Sequence, residues 1–246
     1  MRLGISGICG KMGRRITFLA SRDPEISITA GFEFNGSDGI GQTISDAIGI
    51  KGINTIISSD METLIEKTDC LIEFTLPGPT MEHLEICRKK GVPVVIGTTG
   101  LQKEEEKKIR ETAKIIPIVF SPNMAVGVNL LFKIVYEAAK VLHNDFDIKI
   151  DETHHVHKKD SPSGTAKMIA KVIQDACGAE VPVEAFREGE VIGNHGIIFD
   201  NEYEKLEIRH DAKSRDVFAA GAIKAAKFVV GKTPGFYTMR DVLGVG

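Results

Sequence analysis

Along the first half of the chain, short runs rich in Val, Ile and Phe alternate with stretches whose apolar positions recur every three or four residues. The runs at 3–6, 26–34, 70–74, 93–96 and 116–120 read as strands. Between them, Met12, Ile16 and Leu19 share one helical face, as do Met81, Leu84 and Cys87, while Glu104, Glu105, Lys107 and Lys108 mark a helix in water. Strands and helices in strict alternation are the sequence mark of crossover units, so residues 1–124 are expected to form an α/β unit with a doubly wound parallel sheet.

The pattern then changes. Leu131, Ile134, Val135, Ala138, Ala139 and Leu142 form a buried helical stripe over 128–142. After it, Phe146, Ile148 and Ile150 alternate with Asp147, Lys149 and Asp151, and later Leu206 and Ile208 alternate with Glu207 and Arg209. Period-two strands with one apolar and one wet face predict an α+β unit over 125–215, an open mixed or antiparallel sheet with helices on one side. Phe218, Ala222, Ala225, Ala226 and Val229 predict a last helix within 216–246 that returns to complete the first unit.

Composition narrows the function classes. A chain of 246 residues suits one large or two modest domains. With 31 Lys and Arg against 34 Asp and Glu, the net charge of −3 offers no broad basic field for nucleic acid. Met1-Arg2-Leu3-Gly4-Ile5-Ser6 passes directly into a strand without the apolar stretch of a signal peptide, and no run reaches the length of a membrane span, so a cytoplasmic protein is expected. Cys9, Cys70, Cys87 and Cys177 are widely spaced, lack a C-x-x-C pair, and read as reduced thiols.

Gly7-Ile8-Cys9-Gly10-Lys11-Met12-Gly13 follows the first strand and opens a helix, where backbone N–H groups and the helix dipole favour a pyrophosphate. The spacing is G-x-x-G-x-x-G and not the G-x-G-x-x-G fingerprint, and a tight turn is the competing reading. Glu33, 20 residues after Gly13, closes the second strand, where a carboxylate can accept from an adenosine ribose. Phe34 follows it and no Lys or Arg comes before Lys51, which leans the preference toward NADH over NADPH. Two further turns after strands, Gly97-Thr98-Thr99-Gly100 and Ser121-Pro122-Asn123-Met124, present small hydroxyl and amide groups suited to a nicotinamide carboxamide.

Three of the seven histidines fall within Glu152-Thr153-His154-His155-Val156-His157-Lys158-Lys159-Asp160-Ser161-Pro162-Ser163-Gly164-Thr165. A zinc site through His154 and His157 lacks a third ligand at a helical or finger spacing, so no metal is expected. Ser163, Gly164 and Thr165 open a helix whose start, with Lys158, would hold an anionic group such as a carboxylate. His154 or His155 would then exchange a proton with a small dianionic substrate near neutral pH.

These motifs together resemble one family, the 4-hydroxy-tetrahydrodipicolinate (dihydrodipicolinate) reductases of bacterial lysine and diaminopimelate synthesis. The resemblance runs nearly end to end: the loop at Gly7, the G-T-T-G turn at Gly97, Ser121-Pro122-Asn123, the histidine-to-threonine run, and Met239-Arg240-Asp241-Val242-Leu243. It implies a dinucleotide-binding domain over 1–124 completed by 216–246, and a substrate-binding and oligomerisation domain over 125–215. It further implies that Gly7, Ile8, Cys9, Gly10, Lys11, Met12, Glu33, Gly97, Thr98, Thr99, Ser121, Pro122, Asn123 and Met124 line NADH or NADPH. By the same resemblance His154 is the general acid or base, Lys158 the proton donor, and His155, Ser163, Gly164 and Thr165 hold the substrate of a homotetramer. Two departures stand out: Phe34 replaces the Arg that many relatives carry after the ribose-binding acid, and the segment between Arg187 and Gly196 is shorter, with one strand fewer, than in longer relatives. The alternatives are another two-domain nicotinamide enzyme of amino or keto acids, or a noncatalytic nucleotide-sensing module.

Overall fold

In the computed structural model, which describes residues 1–245, the first apolar run forms β1 (Arg2–Ser6) and the glycine loop leads from it into α1 (Lys11–Ala20). The chain continues through β2 (Ser27–Phe32), α2 (Ile44–Ile48), β3 (Ile57–Ser58), α3 (Met61–Leu64), β4 (Cys70–Glu73), α4 (Pro77–Lys90), β5 (Val94–Ile96), α5 (Lys103–Thr112) and β6 (Pro117–Phe120). Helix boundaries follow local chemistry: α4 starts on Pro77, which has no N–H to lose, and stops at Gly91, whose φ of 70° is open to glycine. Next come α6 (Val126–Leu142), β7 (Asp147–His154), α7 (Gly164–Cys177), β8 (Val183–Arg187), β9 (Asn194–Asp200) and β10 (Lys205–Asp211). The tail adds α8 (Asp216–Val229), β11 (Gly235–Tyr237) and α9 (Met239–Leu243).

Two compact units result, Met1–Met124 with Phe218–Gly244 and, inserted between those segments, Ala125–Val217. The first holds a seven-stranded sheet in the order β11-β6-β5-β4-β1-β2-β3, parallel at every pairing. The chain walks outward one way from β1 through β2 to β3 and the other way from β4 to β6, so β1 and β4 flank the point where strand order reverses. Strand neighbours face opposite layers. Ile72, Val95 and Val119 pack with Ile16 of α1 and Ala222 and Ala226 of α8, while Leu71, Val94 and Ile118 pack with Leu84 of α4 and Ile109 of α5. Helix α8 lies directly on the backbone: a Cβ at Gly221 would sit 1.7 Å from the Met124 carbonyl oxygen.

The second unit carries a four-stranded sheet, β10-β9-β7-β8. It is mixed: β9 runs antiparallel to both β7 and β10, whereas β8 is parallel to β7, because the crossover helix α7 connects them. Ile148, Ile150, Ile197 and Phe199 are buried on one face. Strand β10 departs from the sequence expectation of a buried apolar face: Leu206 is 44% exposed, because β10 is an edge strand beyond the full cover of the helices. Residues 188–193 form only a turn between β8 and β9. That turn holds the histidine loop, Glu188 N–H donating to the His154 carbonyl at 2.8 Å and Val156 N–H to the Gly189 carbonyl at 3.1 Å. All four cysteines are free, and Cys70 and Cys87 are buried, which pushes both thiols upward. Among the described residues no helix is long and apolar enough to cross a membrane.

Candidate active site

The sequence-predicted residues of the first unit gather at the carboxyl edge of its parallel sheet. Gly7 leaves β1 with φ of 69°, and a Cβ there would approach the Phe74 carbonyl to 3.2 Å. A Cβ at Gly13 would lie 2.1 Å from the Gly7 carbonyl oxygen, so the start of α1 can rest on the loop only without a side chain. No side chain caps α1 at Gly10, which leaves its first turn for an external acceptor. Glu33 reaches back to this loop and accepts from the Cys9 N–H at 2.7 Å. Burial, with the Glu33 carboxylate, pushes the Cys9 thiol upward.

Beside Glu33 lies a cleft of about 340 Å³ lined by Cys9, Arg14, Phe34, Ser37, Asp38 and Gln42. Arg14 adds a cation to this cleft. It comes from α1, earlier in the chain, and its Nε and Nη1 donate to the carbonyls of Cys9 and Ala47 at 2.8 and 2.9 Å. A second cleft of about 300 Å³ is lined by Met12, Phe74, Gly97, Thr98, Pro122 and Met124, joining both hydroxyl-bearing turns. Gly97 is pressed on the Phe74 ring, 2.1 Å from where a Cβ would stand. Ser121 donates from its hydroxyl to the Asn123 carbonyl at 2.6 Å and so closes its own turn.

Sequence reasoning missed the support beneath these turns. The Thr98 hydroxyl is 2.7 Å from that of Thr80, which is 3.3 Å from that of Thr75, and Thr75 donates to the buried Glu73 carboxylate. The other Glu73 oxygen is 2.7 Å from His83 Nδ1, itself 3.1 Å from Ser6 Oγ. Glu73 at a strand end followed by Thr75 was the available signal. A further cleft, about 480 Å³, is a groove lined by Leu84, Arg88, Lys108 and Glu111, and no sequence-predicted site residue lines it.

The second unit builds a different kind of site. Glu152 and His154, two apart on β7, point to the same face, and the register sets His195 of β9 opposite Glu152 and Arg187 of β8 beside His154. Glu152 is fully buried, and His154, Ser163 and His195 nearly so. One carboxylate oxygen, Oε1, accepts from the Ser163 N–H at 2.9 Å and lies 3.4 Å from both terminal nitrogens of Arg187. The other, Oε2, is 3.1 Å from His154 Nδ1 and 3.7 Å from His195 Nε2. The rings of His154 and His195 meet edge to face at 5.2 Å. The outer nitrogen of His154, Nε2, faces Gly193, where a Cβ would come within 2.9 Å.

Ser163 joins the two parts of this site. Its Oγ caps α7 by accepting from the Ala166 N–H at 3.1 Å and is 3.3 Å from His195 Nε2. Gly164 opens the helix with free space around its Cα, and Thr165 follows in the first turn. Lys158, largely covered, holds Asp160 at 2.7 Å, and its hydrogen bond keeps the Asp160 carboxyl below the usual range. His155 is half-buried with its ring 6.2 Å from that of His157, which is exposed and 3.6 Å from Glu190.

Burial dominates the titration of the imidazoles. It lowers His154 against the pull of Glu152, with Lys158 and Arg187 acting in the same direction as burial. It lowers His195 to about 4, helped by His154. Burial raises Glu152, but the hydrogen bonds from Ser163 and the two imidazoles outweigh it, and the carboxyl ends below its ordinary value. Near neutral pH the group is thus a carboxylate between two neutral imidazoles. Glu152, His154 and His195 offer donor atoms within 4.8 Å of one another, a set that does not include His157. The signal was the alternation of β7 and the pairing of β9, not a helical or finger spacing. Arg187 already shares the carboxylate, and its charge opposes a cation there.

Comparison with known proteins agrees with this architecture. Residues 1–124 match the family model described as dihydrodipicolinate reductase, N-terminus, and residues 127–243 that described as dihydrodipicolinate reductase, C-terminus. The 4-hydroxy-tetrahydrodipicolinate reductase of Syntrophotalea carbinolica is 37% identical over 265 residues, covering 100% of this chain and 99% of the relative. That of Magnetococcus marinus is 39% identical over 264 residues, covering 99% and 98%. Among solved structures, a dipicolinate-bound dihydrodipicolinate reductase from Paenisporosarcina sp. TG-14 aligns over 97% of each chain with a TM-score of 0.83 and 25% identity. An amine dehydrogenase from Mycobacterium smegmatis, at 12% identity and a TM-score of 0.71 over 97% and 95% of the two chains, shares the fold alone. With both halves matched in order and relatives aligned from end to end, the chain belongs to the dihydrodipicolinate reductase family.

Proposed function

We propose that the chain reduces 4-hydroxy-tetrahydrodipicolinate to tetrahydrodipicolinate with NADH or NADPH, a step of lysine and diaminopimelate synthesis. The hydroxyl and a hydrogen of the neighbouring ring carbon leave as water, and a hydride from the cofactor and a proton enter the ring. The family and its full-length relatives carry the activity. The observation that carries the assignment of roles is the buried Glu152–His154–His195 group set beside Lys158 and the start of α7.

The edge of the parallel sheet suits a dinucleotide, because the missing side chains of Gly7, Gly10 and Gly13 leave an uncapped helix start within reach of a pyrophosphate. In this reading Glu33, beside the glycine loop, takes the adenosine ribose, and the turns at 97–99 and 121–124, around the second cleft, take the nicotinamide end. When bound, the cofactor supplies the hydride. Glu33 disfavours a 2′-phosphate, and Arg14, spent on two carbonyls, offsets that charge only in part, so NADH is preferred and NADPH accepted.

In the second unit the dipole of α7 and the ammonium of Lys158 hold a carboxylate of the substrate, with His155, Ser163, Gly164 and Thr165 around it. Lys158 is the proton donor, and His154, neutral at pH 7, gives or takes a proton at Nε2. The sheet face away from the helices, with Phe186 51% exposed, is the surface through which a homotetramer assembles; sedimentation at micromolar concentration checks it. The decisive experiment supplies the condensation product of pyruvate and aspartate semialdehyde and follows reduced cofactor by absorbance. NADH is consumed only when that compound is present; indifference to it overturns the reading.

A further inference from the structure

The oxygen Glu152 Oε2 is fully buried without a hydrogen-bond partner, as are Nδ1 of His154 and Nδ1 of His195. A buried carboxylate oxygen left unpaired is costly, and among the described residues the two imidazoles stand nearest it, His154 Nδ1 at 3.1 Å and His195 Nε2 at 3.7 Å. His195 is the weaker candidate: its Nε2 is 3.7 Å away and faces the Ser163 hydroxyl at 3.3 Å. That hydroxyl already accepts from Ala166, so its own hydrogen is free to point to His195 Nε2. His154 Nδ1 is the nearer, at 3.1 Å.

We infer that Glu152 is a positioning residue for the reduction: it holds His154 as the Nδ1–H tautomer, so that Nε2, turned toward the side-chain-free Gly193, is the basic nitrogen that takes up and releases the exchanged proton. Arg187 and the Ser163 N–H fix the other carboxylate oxygen and keep Glu152 from turning away. When Nε2 takes up a proton, the imidazolium is formed against a carboxylate already in place, with no reorganisation of solvent. The charged and titratable groups facing His154 are Glu152 on its own strand, His195 on β9 with His210 of β10 behind it, Arg187 on β8, and Lys158 and Asp160 of the loop. Of these only Glu152 meets Nδ1 as an acceptor. The arrangement rests on the reading of His154 as the proton-transfer group, and its logic is that of a carboxylate fixing the tautomer of a catalytic imidazole.

The test has two arms. In wild-type protein, ¹⁵N NMR of the imidazoles reports the tautomer of His154 directly, without any substitution; Nδ1–H is expected, and Nε2–H overturns the inference even if every Glu152 variant fails to fold. In the assay, Glu152→Gln keeps size and the Ser163 contact but removes the charge. It should lower kcat at least about 30-fold with KM for the cofactor within about twofold, and should move the His154 inflection of the pH profile to lower pH. Glu152→Asp should recover part of kcat. An unchanged kcat and pH profile in Glu152→Gln, with kcat lost in His154→Gln, overturns the role of Glu152 and leaves that of His154 standing. Wild-type turnover in His154→Gln overturns the reading of His154 instead, while the NMR arm still decides the tautomer.

Discussion

The two units build their sites from opposite materials. At the edge of the parallel sheet the chemistry comes from backbone, and the sequence contributes mainly by leaving side chains out at Gly7, Gly10, Gly13 and Gly97. In the inserted unit it comes from buried side chains, with Glu152, His154, His195, Ser163 and Arg187 interlocked across three strands and a helix start. A backbone site tolerates polar substitution around it but no added methyl group, whereas a side-chain site tolerates changes of volume at its margin but not of charge.

Replacing the proton-transfer groups should give the largest effect. Lys158→Ala and His154→Ala are each expected to lower kcat by roughly 100-fold or more, the scale of a positioned acid or base, with NADH affinity from fluorescence titration little changed. Wild-type turnover in either removes that residue from the chemistry.

Next comes the contrast between two glycines. Gly13→Ala places a methyl 2.1 Å from a backbone oxygen, so it should cost about 1–3 kcal/mol of overpacking, visible as a lower Tm and a weaker cofactor Kd. Gly164→Ala meets nothing within 4 Å and should leave Tm unchanged while raising KM for the substrate. Equal loss of Tm in both would erase the distinction between the units.

Smaller still is the effect of Glu33→Gln, expected to weaken NADH by about 1 kcal/mol, roughly fivefold, and NADPH by less. Arg14→Met should do the reverse. Equal losses for both cofactors in Glu33→Gln would argue against a ribose contact.

The gentlest probe is pH. His195 falls from an ordinary 6.5 to about 4 in the folded chain, so between those values the unfolded chain binds a proton that the native one refuses. Stability should therefore drop on acidification, by under about 1 kcal/mol from pH 7 to 6 and with a slope nearing roughly 1.4 kcal/mol per unit further down. Glu152, held low, adds a loss of the same sign as pH falls through its folded value, below the ordinary 4.5. Denaturant titration of His195→Gln beside wild type isolates the first contribution, and parallel curves would refute it.

How much of this was legible depended on range along the chain. Runs of Val and Ile buried on both faces, such as Cys70–Glu73 and Val94–Ile96, announce central parallel strands by themselves. Strand β3 has two residues, β8 has no buried position, and β9 breaks its alternation where Gly196 lies under the Arg209 side chain, so none of these shows a clean period. The same limit governed the sites. Glu152 stood two positions from His154 on a strand and could have been read from its alternation. His195, Arg187 and Arg14 could not, since only the register of a sheet or the rotation of a helix brings them near. The open wet face of the mixed sheet was anticipated, but the exposure of Leu206 was not, because edge position is a property of strand order.

The seat of Gly221 on the Met124 carbonyl bears on how the protein is made. As the nascent polypeptide leaves the ribosome, the inserted unit is complete once residue 217 emerges, while the flanking one still lacks α8, the edge strand β11 and α9. Until those elements arrive, β6 ends the parallel array with an open rim and the apolar layer under α8 lies bare to water. The parallel-sheet unit is therefore the later of the two to be completed during translation, although its first strand precedes every strand of the inserted unit.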